Sequence, residues 1–113
     1  MTDLEQVLSL VNAARAALGS PPLGKLPPGR QRSNGDCVLA RSVGVSFGNR
    51  TAWVASGRRS QRKTVARLIA SAWDSKQDVL DKRVVRLPDT LREFVAEFDA
   101  GEFPELVDSR AGV

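Results

Sequence analysis

Five cations crowd a stretch of ten positions: Arg58, Arg59, Arg62, Lys63 and Arg67. Guanidinium and ammonium groups held this close suit anions. Those anions are the phosphates of a nucleic acid or the carboxylates of an acidic protein surface. Ser60 to Asp74 reads as a helix, which puts the cluster at a helix start, where free backbone amides add to the positive potential. Arg30 and Arg32 lie upstream in a proline- and glycine-rich stretch and are expected to help from a mobile loop. These seven residues are the expected partner-binding set. A basic cluster also forms an ordinary solvated helix face, so its presence alone does not define a footprint.

Other chemistry is poorly supplied. The chain has no histidine and no tyrosine. It therefore lacks the usual general base near neutral pH and the commonest metal ligand. Cys37 is the single cysteine. It cannot form a Cys–His pair or a disulfide within the chain, and it is expected to be a small buried hydrophobe. One thiolate is far short of a zinc set. No phosphate-cradling or dinucleotide-binding glycine pattern occurs. No enzyme, metal or cofactor is expected.

The charge of +4 is unevenly spread. Residues 56–86 carry nine basic and three acidic groups, while residues 87–113 carry two basic and seven acidic. Such asymmetry favours an acidic partner, or contact between the two regions within one fold or between copies. No apolar run approaches a membrane span. The acidic start, Met1-Thr2-Asp3-Leu4-Glu5, is unlike a signal peptide. With one cysteine, this predicts a soluble cytoplasmic protein.

The elements that must position these residues are marked by periodicity. Thr2-x-x-Glu5 is a capping box for a helix over 2–18. Gly19 ends it, and Pro21 and Pro22 block its continuation. Residues 19–36 form a Pro/Gly-rich loop, with Gly29 to Asp36 its most mobile part. Asp36 is the expected N-cap of a short helix over 37–43. The segment Val38–Val54 reads in two ways. As a degenerate helix-turn-helix over 38–56, Phe47–Ser56 would be a recognition helix, although Gly48, Asn49 and Thr51 are poor helix formers. As a hairpin, two β-favouring runs flank a Gly48-Asn49 turn. The hairpin is the better fit. Val65, Leu68, Ile69, Ala72 and Trp73 make an apolar stripe on the basic helix. Lys76 to Asp81 reads as a polar connector and Arg83–Leu87 as a strand. Leu91, Phe94, Val95 and Phe98 line the last helix, and residues 108–113 are a frayed tail.

Two groups of residues carry a resemblance. One is Leu10-Val11-Asn12-Ala13-Ala14-Arg15 with Gly19, Pro21-Pro22-Leu23, Leu26-Pro27, Gly29 and Cys37-Val38-Leu39-Ala40-Arg41. The other is Leu87-Pro88, Leu91, Phe94-Val95, Phe98-Asp99, Gly101 and Phe103-Pro104-Glu105-Leu106-Val107. Together they cover about two-thirds of the chain, which resembles small uncharacterised proteins of actinobacteria and their phages. The resemblance implies a shared α+β fold with the cysteine opening a short helix. It implies no activity.

The expected fold is therefore a single α+β domain over 1–113. Three main helices and a short one pack on a small, mainly antiparallel sheet that contains the hairpin. The expected core is Leu4, Val7, Leu8, Val11, Leu39, Phe47, Trp53, Leu68, Ile69, Trp73, Leu91, Phe94, Val95 and Phe98. The expected function is that of a small non-enzymatic interaction or regulatory protein, phage-encoded and directed at a host protein. An acidic protein surface is the preferred partner. The alternative is a DNA-binding protein using the 58–67 cluster or the degenerate helix-turn-helix.

Overall fold

The computed structural model of the chain describes residues 3–33, 35–47, 53–55, 62–73, 79–80 and 84–107. Helix α1, Asp3–Ala17, buries Val7, Val11 and Ala14, spaced four and three apart on one side. It closes as the sequence predicts. Gly19 takes φ +80°, Ser20 N–H donates to the Arg15 carbonyl at 2.8 Å, and Gly19 N–H donates to Ala16 at 3.1 Å. This six-to-one and five-to-two pair is the Schellman arrangement, which needs a left-handed residue. Thr2 of the expected capping box lies outside the described residues.

Helix α2, Val38–Val43, starts one residue later than an Asp36 cap would give. Cys37 is the cap: its Sγ accepts from Ala40 N–H at 3.4 Å. Asp36 turns outward instead and accepts from Arg41 Nε at 3.2 Å. Gly44, left-handed at φ +84°, stops α2. That stop uses up the first residues of the expected hairpin strand, so β1 is only Ser46–Phe47. It pairs antiparallel with β2, Trp53–Ala55, Phe47 opposite Val54. The Gly48-Asn49 turn lies outside the described residues. A continuous recognition helix over Phe47–Ser56 is not formed, because both Phe47 and Trp53–Ala55 are in strands.

Helix α3 spans Arg62–Ala72. Two short strands follow, β3 at Val79–Leu80 and β4 at Val84–Arg86. The first falls in the stretch expected to be a connector. The strands ladder antiparallel in the order β1-β2-β4-β3. Helix α4, Asp89–Asp99, buries Leu91, Phe94, Val95 and Phe98, and a 3-10 turn follows at Pro104–Leu106.

The expected α+β class, helices laid on a sheet, is corrected. The molecule is mainly helical. Helix α1 has 15 residues and α3 and α4 have 11 each, whereas among the described residues no strand exceeds three. Helices α2, α3 and α4 all pack against α1, so the core is helix on helix. Strands this short cannot offer a continuous apolar layer, since side chains alternate between faces. The short ladder lies against α3 as trim, with the fully buried Val85 its anchor.

The core is also corrected at α3. Leu68 is 38 % exposed, and the buried residues are Ala66, Ile69, Ala70 and Trp73. Two stripes of helical spacing share Ile69 and Trp73. The structure uses the one with small alanines, which lets α3 lie close against α1, and Trp73 Nε1 donates to the Leu10 carbonyl at 2.9 Å. Leu4 and Leu8 are only partly buried, at the margin of the core. The burial of Trp53 lies outside the description. Among the described residues no helix is long and apolar enough to cross a membrane.

Candidate functional site

The basic cluster is placed in part. Arg58 and Arg59 lie outside the described residues. Arg62 and Lys63 open α3, with no acidic residue in its first turn, and their side chains lie outside the description. Arg67 is exposed one turn further on, next to Leu68. Leu68 is the one large hydrophobic residue among the described ones that stands out to solvent.

The loop that carries Arg30 and Arg32 is not the loose stretch expected. Gly29 N–H donates to the Leu106 carbonyl at 2.8 Å and pairs as a lone parallel bridge with Val107. Arg30 N–H donates to Asp36 at 2.8 Å. Gln31 Nε2 donates to the Phe98 carbonyl at 2.9 Å, and Arg32 N–H donates to Asp99 Oδ1 at 2.8 Å. The loop is thus fastened to the end of α4. The Arg30 guanidinium faces Asp36 at 3.9 Å, with both side chains about half exposed. Such a pair contributes about 0–1 kcal/mol.

Three polar residues of the resemblance turn out to hold the chain together. Asn12 grips the Leu23 backbone at both ends: its Nδ2 donates to the carbonyl at 3.0 Å and its Oδ1 accepts from the N–H at 2.8 Å. Arg15 donates to the carbonyls of Pro21 at 2.8 Å and Ser42 at 2.6 Å. Arg41 donates to the Pro28 carbonyl at 3.1 Å besides its contact with Asp36. Prolines donate no backbone hydrogen bond, so the segment leaves carbonyls to be satisfied, and these side chains do it.

Cys37 is 7 % exposed. Burial pushes its thiol above the ordinary 9.0, against the contrary pull of the Ala40 and Leu39 amides. The thiolate is the nucleophile, so alkylation by iodoacetamide near neutral pH is expected to be slow until the protein unfolds. The neutral thiol is favoured in the folded state. Its stabilisation is complete below pH 9.0 and is lost as pH rises through the higher folded value. Cys37→Ala is expected to lose about 1 kcal/mol with the cap and to show a flatter decline of melting temperature at alkaline pH. An equally steep alkaline decline in Cys37→Ala assigns the effect to other groups.

Sequence reasoning missed a cleft on another side of the molecule. Asp3, Gln6 and Val7 of α1, Thr90, Glu93, Phe94 and Glu97 of α4, and Phe103 line a small hollow of about 50 Å³. It runs on past Ala96, Ala100 and Glu102. Its floor is aromatic: the Phe94 ring lies 5.2 Å from Phe103 and 6.0 Å from Phe98. Four carboxylates, Asp3, Glu93, Glu97 and Glu102, stand around it. The available signal was the acidic excess after residue 87 with Glu93 and Glu97 one turn apart, which sets like charges on one face at a cost of a few tenths of a kcal/mol. Among the described residues no three acidic or sulfur groups converge as a metal site would require. Comparison of the chain with protein-family models, curated proteins and solved structures finds no match.

Proposed function

We propose that this chain is a non-enzymatic interaction protein that docks an acidic protein surface on the outward side of α3. The observation that carries the reading is Leu68, a large apolar side chain 38 % exposed beside the exposed Arg67, on the helix that Arg62 and Lys63 open. An apolar knob beside a cation suits a protein surface with a hollow and carboxylates around it, since interfaces draw affinity from a desolvated centre and steering from charge. A duplex needs base-reading residues, and the segment proposed for that role lies partly in strands β1 and β2. The lone buried thiol fits a reducing compartment, so we take the cytoplasm as the place of action.

The test is binding to poly-L-glutamate and to a duplex of arbitrary sequence, side by side, across a salt series. Poly-L-glutamate binding is expected, falling several-fold in Arg67→Glu and in the double variant Arg62→Glu, Lys63→Glu. Duplex binding is expected to be negligible at physiological salt. A DNA footprint would engage four or five phosphates and give a log–log salt slope of about −4. Tight duplex binding with that slope, abolished by charge reversal at Arg62 and Lys63, overturns the protein reading.

A further inference from the structure

The two surfaces described above complement each other, and we propose that the acidic partner of α3 is a second copy of this chain: Leu68 and Arg67 on one copy seat in the α1–α4 cleft of the next. The inference rests on the α3 reading and names the partner of that surface. The charge is already divided for it, with six net positive charges over residues 56–86 and five net negative over 87–113. The apolar parts match as well. Leu68 needs a covering surface, and the cleft offers the half-buried Phe103 with the exposed Ala96 and Ala100 beside it. Asp3, Glu93, Glu97 and Glu102 stand where they would meet Arg67, and none of the four has an ion pair among the described residues. No residue of α3 lines the cleft, so one copy presents both surfaces at once.

The contact joins unlike patches. Each pairing therefore leaves a free knob at one end and a free cleft at the other, and association continues beyond a dimer. A net charge of +4 per copy opposes crowding, so the assembly is expected to be weak, reversible and concentration-dependent. In this arrangement a second copy occupies the α3 surface until a stronger acidic partner displaces it.

The experiment is sedimentation of the whole chain. The weight-average mass is expected to rise above 12.2 kDa with concentration at low salt. It is expected to fall back to the monomer near 1 M salt, where charges are screened beyond about 3 Å. Arg67→Glu, Leu68→Asp and Glu97→Lys are each expected to be monomeric. An equimolar mixture of Arg67→Glu and Glu97→Lys chains is expected to associate again, because the unaltered α3 surface of the second meets the unaltered cleft of the first and the reciprocal pairing sets the new carboxylate against the new ammonium. A wild-type chain that stays monomeric at millimolar concentration while still binding poly-L-glutamate overturns the self-pairing and leaves the α3 reading standing. Loss of both overturns both. A wild-type assembly with no rescue in the mixture also overturns this interface.

Discussion

Gly29→Ala is expected to be among the most damaging single substitutions in the chain. The reason is space. A β-carbon at position 29 would lie 2.3 Å from Val38 N, 2.5 Å from the Cys37 carbonyl carbon and 2.9 Å from Val38 Cα. All three are backbone atoms, so no side chain can swing aside. Either α2 moves, dislodging the fully buried Val38 and Leu39, or residue 29 moves and gives up its hydrogen bond to Leu106. Overpacking typically costs 1–3 kcal/mol, and a clash with fixed backbone lies at or above the top of that range. A loss of about 3 kcal/mol or more is expected, read as a fall in melting temperature of more than about 10 °C. A variant that melts within two or three degrees of the parent shows that Gly29 does not sit against the start of α2.

Phe94→Ala is expected to cost about 3–5 kcal/mol, the range for removing a buried aromatic ring. Phe94 is 3 % exposed and joins three parts of the molecule. Its ring meets Phe98 within α4 and Phe103 beyond it, and it forms the cleft floor facing α1. Small domains have about 5–15 kcal/mol in all, so this change approaches the limit of foldability. Urea denaturation is the measurement, with the midpoint expected to fall while the slope stays constant. Phe94→Leu, which keeps much of the apolar volume, is expected to recover most of the loss. An alanine variant as stable as the parent would move Phe94 out of the core.

How much of this was legible depends on which physical signal each residue carries. Helix α4 was readable because its buried residues are large and strictly spaced, and Leu91, Phe94, Val95 and Phe98 are all inside. The end of α1 was readable because Gly19 is followed by two prolines. The buried side of α3 was misjudged because large residues dominate periodicity, so Leu68 outweighed Ala66 and Ala70. Packing against α1 rewards the opposite, a smooth side that permits close approach. Cys37 was not recognised as a cap because sulfur is an uncommon acceptor there. The role of Gly29 leaves no local trace: a glycine needed for closeness looks like one needed for a turn. The cleft joins residues 3 and 103, and only the fold brings them together.

The fastening of the Gly29–Asp36 loop also has a consequence for the order in which the molecule is made. Gln31 to Phe98 and Arg32 to Asp99 each span 67 positions. Gly29 reaches Leu106 across a still longer stretch. Contacts this distant along the chain close late, because the entropy of the intervening loop must be overcome before they form. On the ribosome, Gly29 and Val38 are made early, but the surface that holds the loop emerges only with residues 98–107. Residues 29–32 must therefore wait, unlatched from that surface, until residues 98–107 have left the exit tunnel.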